Sequence, residues 1–209
     1  MKIELENVLP DEIEHRSFEI IESELPHPLD PRFASIIKRV IHTTADFDYA
    51  DSLYFSENAV PLALAALKSG ASIVTDTNMA RAGINKPALT KLGGEAFCFM
   101  ADEDVSAAAK QNGTTRAAAS MDKAAALETP LIFAIGNAPT ALVRLYELIG
   151  EGKLKPALII GAPVGFVNVV QAKNLIMQTD IPCIVARGRK GGSSVAAAIM
   201  NALMYSVAR

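Results

Sequence analysis

From Ser72 onward the chain alternates short, wholly apolar runs with longer segments of helical periodicity, and this alternation constrains the fold more than any other feature. "SIVTD", "EAFCFM", "LIFAIG", "ALIIGAP" and "PCIVARG" read as strands. Each precedes a helix-like stretch: a short one after Thr77, then 102–128, 138–149, 167–178 and 193–207. The 102–128 segment divides at "QNGTT", where Gly113 stops one helix and a threonine caps the next. Strands that are apolar throughout must be covered on both faces, which requires a parallel sheet between two helical layers. No Gly/Ser linker, charge block or repeat interrupts the pattern. The expectation is one doubly wound α/β domain, with a helical preface over 1–70 and a βα core over 71–209. Its sheet is mostly parallel and five-stranded.

That architecture directs attention to the strands' carboxyl ends, outside which open α/β sheets bind ligands. The turns there are "TDTNMA", "MADED", "IGNAPT", "IGAPVGF" and "ARGRKGGSS", so Asn78, Asn137, Pro163 and Gly188 should line one edge. Strand–helix turns are rich in such residues whatever they do. Charge placement adds information. Arg116 opens the helix at "TTRAAAS", and Arg189 and Lys190 immediately precede the last helix at "GGSS". Cations oppose the macrodipole at a helix N-terminus. A bound anion held by the side chain and the helix end together removes that conflict; so does an arginine that extends into water. Both readings stand on the sequence alone.

Several functions are excluded. Half the residues are hydrophobic, 21% are charged and the net charge is −3, which fits a soluble globular chain and gives no basic coat for nucleic acid. The start, "MKIELENVLPDEIEHR", has no apolar signal core, and the longest apolar run, "ALIIGAPVGFVNVV", falls short of the ~20 residues of a membrane helix. A cytoplasmic location without membrane partners is the expectation. Cys98 and Cys183 lie in strand-like runs and read as buried thiols, a disulfide remaining open. There is no G-x-x-x-x-G-K-[ST], no G-x-G-x-x-G, no G-x-S-x-G and no zinc-ligand spacing. Asp46, Asp48 and Asp51 lack the glycine and terminal glutamate of a calcium loop and read as a solvated loop or helix cap. Ser193 and Ser194 read as caps of the last helix.

One histidine stands out. In "DPRFASIIKRVIHTT", Phe33, Ile36, Ile37, Val40 and Ile41 form a buried helical stripe, with Pro31 suited to the first turn. Ser35, Lys38, Arg39 and His42 share a neighbouring face. His42 therefore sits beside the core at a helix end, either as a solvated surface group or as a titratable group facing a ligand.

Taken together, the segments resemble the precorrin-8X methylmutases (precorrin isomerases, or cobalt-precorrin-8 methylmutases) of cobalamin biosynthesis. The resemblance spans nearly the whole chain: "HRSFEIIESE", "KRVIHTTAD", "GTTRAAAS", "AIGNAPTALVRLYELI", "PALIIGAPVGFVNVVQAKNLI" and "PCIVARGRKGGSSVAAAIMNAL". It implies an isomerase that moves a methyl group between adjacent carbons of a corrin precursor without an external cofactor or protein-bound metal. Precorrin-8X or cobalt-precorrin-8 would become hydrogenobyrinate or cobyrinate, with the cobalt form as the preferred substrate. It also implies a parallel α/β fold and a homodimer with sites at the subunit interface. By the same resemblance His42 is the proton donor or acceptor, and Ser17, Arg39, Thr43, Arg116, Arg187, Arg189 and Lys190 meet the substrate. The stretch "HTTADFDYADS" is more acidic than in some relatives. A methyl shift on a conjugated ring needs protonation at one atom and tight positioning, which a single histidine and a set of arginines for the substrate's carboxylates can supply. A non-catalytic corrinoid-binding or chaperoning protein would need the arginines but not the histidine.

Overall fold

The computed structural model describes residue 6 and residues 8–208; residues 1–5 and 7 of the predicted preface, and residue 209, lie outside the described residues. Helices α1 (Ile13–Glu24), α2 (Ala34–Thr44) and α3 (Tyr49–Ser52) lead into strand β1 (Leu53–Phe55) and helix α4 (Ala59–Lys68). Then β2 (Ser72–Thr75) is followed by α5 (Asn78–Gly83) and α6 (Lys86–Lys91), and β3 (Ala96–Phe97) by α7 (Glu103–Gln111) and α8 (Arg116–Ala124). Three more units complete the chain: β4 (Leu131–Ile135) with α9 (Pro139–Gly150), β5 (Leu158–Gly161) with α10 (Val169–Met177), and β6 (Cys183–Ala186) with α11 (Ser193–Ala208).

The sheet runs β1-β6-β5-β4-β2-β3. All five expected strands are present and parallel, and a sixth corrects the count: β1 pairs antiparallel with β6 at the edge. The preface is thus not purely helical. The sheet's covering layers follow from strand alternation. Ile73, Ile132, Ala134, Leu158, Ile160 and Ile184 pack with α2, α4 and α11, whereas Val74, Phe133, Ile135, Ile159 and Val185 pack with α8, α9 and α10. Because α11 is apolar around most of its circumference, it suits a buried position against the sheet.

Helix α2 carries its stripe as expected: Ile36, Ile37, Val40 and Ile41 are buried. Pro31 is not in its first turn; it lies in the turn before, and Phe33 at the cap stacks on Phe55, 4.1 Å between ring centroids. The helix stops at Ala45, whose φ of 53° is left-handed and whose N–H bonds Ile41 O at 2.7 Å. That conformation costs an L-residue roughly 1–2 kcal/mol. Gly113, at φ 62°, and Thr115, capping Ala118 N, divide α7 from α8 as the sequence predicts.

Candidate functional site

The chain passes from β2 outward to β3, then back across β2 to β4 and on to β5 and β6, so its winding reverses between β2 and β4. In open α/β sheets ligands sit outside the carboxyl ends of the strands beside such a reversal. Asn78, Asn137, Pro163 and Gly188 all follow carboxyl ends of parallel strands and share this edge. At the reversal the Asp76 carboxylate is fully buried and accepts the N–H groups of Gly136 (2.8 Å), Asn137 (2.8 Å) and Ala138 (2.6 Å). Burial pushes its pKa up, while the three N–H donors pull it back. Gly136 is required by close approach: a Cβ there would stand 2.6 Å from Ser193 Cα. Ser193 does not cap α11 with its hydroxyl; it pairs with Thr77 Oγ1 at 2.7 Å and ties α11 to the β2 turn.

The β5–α10 and β6–α11 loops interlock beside it. Gly192 N bonds Ala162 O, and Gly165 N bonds Arg189 O. Gly191 admits no side chain, since a Cβ would meet Ala162 O at 2.2 Å. Val164, Phe166 and Val167 project from the first loop into solvent, with Phe166 81% exposed. Lys190 clasps the segment after α2, its ammonium 2.7 Å from Asp46 and 2.5 Å from Asp48. This lowers the pKa of Asp46 and raises that of Lys190. Of the three aspartates of "DFDYADS", Asp46 and Asp48 thus have a cationic partner, and Asp51 pairs with His27 at 2.8 Å.

That clasp ties the segment just after α2, which begins three residues beyond His42, to the β6–α11 loop. His42 is exposed and meets the Phe18 ring edge-on, centroids 5.5 Å apart. Neither of its ring nitrogens bonds a protein group among the described residues, whereas His15 and His27 both face carboxylates. His42 and Ser17 line one cleft of about 220 Å³ with Ile20, Ile21, Ala45 and Phe47. Ser17 donates to Ile13 O and Thr43 to Arg39 O, so both hydroxyls keep acceptor capacity.

The predicted cations divide. Arg39 is turned into the protein: Glu14 accepts from it at 2.6 Å, and its guanidinium lies over Phe18 and Tyr205. Arg187 stacks on Tyr54 at 4.8 Å and Arg189 on Phe166 at 5.4 Å. Arg116 opens α8, exposed and without an ion pair among the described residues, next to the α9 terminus through the Thr115–Thr140 hydroxyl contact of 2.9 Å. It belongs to the opposite helical layer from α2. Within one chain, Arg116 and His42 therefore do not share a pocket.

Two buried ionic groups at this edge escape the sequence reading, Asp76 and Lys173. Lys173 was discoverable: with Val169, Ala172 and Ile176 it falls on the buried stripe of α10, where a lysine is out of place. Asp76 gives no periodic signal, because it lies just beyond β2. Cys183 is buried with its thiol pKa raised by that burial, Cys98 is half-buried, and both are free. Among the described residues no three His, Cys, Asp or Glu side chains assemble to hold a metal, and no helix is long and apolar enough to cross a membrane.

The precorrin-8X methylmutase family model matches residues 12–206. The chain belongs to this family. It is thereby an isomerase of the cobalamin-biosynthetic type, and the family acts on corrin precursors. Relatives include the cobalt-precorrin-8 methylmutase of Priestia megaterium, 45% identical over 94% of this chain and 88% of that protein. That of Salmonella typhimurium is 46% identical over 94% and 95%. The precorrin-8X methylmutase of Pseudomonas aeruginosa is 39% identical over 79% and 80%. The crystal structure of the Thermus thermophilus precorrin-8X methylmutase superposes with a TM-score of 0.85 at 39% identity, covering 94% of this chain and 98% of that one.

Proposed function

We propose that this protein converts cobalt-precorrin-8 to cobyrinate by an intramolecular methyl shift, with His42 as general acid and base. The observation that carries the role of His42 is its pair of ring nitrogens, without a partner among the described residues, at the rim of a cleft, in a chain whose other two histidines face carboxylates. His42 lends a proton to the conjugated ring. The bond from the methyl carbon to one ring carbon breaks as the bond to its neighbour forms, and the π electrons shift to compensate. The proton then returns, so substrate and product have the same composition. Exposed Phe166 and Val167 offer apolar surface for the macrocycle. Arg116, Arg187 and Arg189 offer charge-assisted donors for its peripheral carboxylates. Ser17 and Thr43 offer hydroxyls beside the histidine. Arg39 and Lys190 act in this reading by shaping the rim, since Glu14 and the two aspartates already hold them.

The cleft beside His42 is smaller than the ~300–1,000 Å³ of sites that enclose a small ligand. A second copy completing the walls is therefore part of the proposal, as is a cytoplasmic location. The preference for the cobalt form rests on the names of the relatives at 45% and 46% identity. The experiment supplies purified protein with cobalt-precorrin-8 or metal-free precorrin-8X and follows the visible spectrum, which changes when conjugation is rearranged. Turnover of the cobalt form at the higher kcat/KM is expected; binding without spectral conversion of either would leave only a corrinoid carrier.

A further inference from the structure

Lys173 sits on the apolar stripe of α10 and is 1% exposed, yet among the described residues no carboxylate pairs with it; burial lowers its pKa to about 8. A lysine placed so against the core costs free energy unless its donors are used. They are used on one target: Nζ lies 2.8 Å from Gly188 O and 2.8 Å from Lys190 O. These are alternate carbonyls of the β6–α11 loop, whose backbone includes Gly188 at φ 73° and Gly191 at φ 158°. Such glycines leave a loop free to take other conformations unless something outside fixes it.

We infer that Lys173 is a positioning residue: it clamps the 187–191 backbone from beneath and so fixes the directions in which Arg187 and Arg189 project. The clamped carbonyls flank Arg189 on both sides, and Gly188 separates the two arginines. Arg187 over Tyr54 and Arg189 over Phe166 then follow from a fixed backbone. An ammonium and a neutral amine both carry two or more N–H groups, so the clamp works in either protonation state. The consequence for the substrate rests on the reading that this loop meets corrinoid carboxylates.

The test separates a clamp from a space-filling role. Lys173→Met keeps the volume and removes the donors, and Lys173→Arg keeps donors. Each variant and Arg189→Ala is digested with trypsin under native conditions, with cleavage after residues 187, 189 and 190 quantified, and each is titrated with cobyrinate by absorbance. Loss of two hydrogen bonds to the loop predicts cleavage there at least about tenfold faster in Lys173→Met. Cobyrinate affinity should fall about tenfold, and Lys173→Arg should recover most of both. Parental cleavage in Lys173→Met would overturn the clamp. So would faster cleavage with unchanged affinity if Arg189→Ala does lose affinity, because the clamp would then not direct the arginines. Faster cleavage with affinity unchanged in both variants supports the clamp and overturns the substrate reading of the loop. Should Lys173→Met be insoluble, Lys173→Gln, whose amide reaches one carbonyl at most, takes its place, and a parental digest of that variant overturns the proposal equally.

Discussion

Lys173 and Asp76 carry opposite charge, and each bonds backbone groups of a rim turn rather than a counter-ion. Their energetic signs can be worked out. The folded pKa of Lys173, about 8, lies below the roughly 10.4 of an unfolded lysine. Between those values the unfolded chain holds a proton that the folded chain does not, so stability rises with pH there. The rise from this residue is on the order of 1–3 kcal/mol, because a tenfold difference in proton affinity is worth about 1.4 kcal/mol. Urea unfolding at pH 8 and pH 10 should show it in the parental protein and not in Lys173→Met, once other titrations common to both are subtracted. Asp76→Asn presents an amide where two carboxylate oxygens received three N–H donors, and one of them would then face another donor. A loss of roughly 2–4 kcal/mol by urea titration is expected, from charge-assisted bonds of about 1.5–3 kcal/mol each. How far these residues were legible differs for a physical reason. Lys173 announces itself by period, four residues from Val169 on an apolar stripe. The partner of Arg39 does not, since Glu14 stands 25 residues earlier on another helix. No local pattern encodes that ion pair; the resemblance assigns Arg39 to the substrate, and only the packing of α1 on α2 reveals that Glu14 holds its guanidinium.

Four of the five parallel strands, β2, β4, β5 and β6, follow from runs of apolar residues buried throughout, while β3 is a short, half-buried edge strand. Strand β1 did not show itself, because three residues, two of them half-buried, carry no usable alternation. Its place is set by its partner: Leu53, Tyr54 and Phe55 register against Ala186, Val185 and Ile184, and Ser56 receives the Cys183 N–H. The break before α8 was legible, and so was the arginine that opposes its dipole. Arg116 has no carboxylate partner among the described residues and stands exposed at the positive end of α8. Arg116→Ala should therefore leave the melting temperature unchanged or slightly raised. Cobyrinate affinity should weaken by about 1.5–3 kcal/mol if a substrate carboxylate completes that helix end. Calorimetric melting and absorbance titration read the two effects separately; pronounced unfolding would make Arg116 a structural residue instead.

At the scale of the whole molecule, the two helical layers place His42 and Arg116 on opposite sides of one sheet. A macrocycle fringed with carboxylates can engage both kinds of group most simply where two chains meet. Sedimentation velocity at micromolar concentration should show a dimer, and a monomer there would count against an interfacial site. The exposed Val164, Phe166 and Val167 belong to the same edge and would be covered by substrate or by the second copy. The central claim, that a single histidine drives the methyl shift, is tested most directly by single-turnover conversion of cobalt-precorrin-8 by His42→Ala beside the parental protein. Because His42 lies outside the buried stripe of α2, the variant should fold and bind corrinoid with near-parental affinity. Its conversion rate should fall by roughly 10²–10⁴-fold, the usual contribution of a positioned general acid. A folded, corrinoid-binding His42→Ala protein that isomerises at the parental rate would contradict the account.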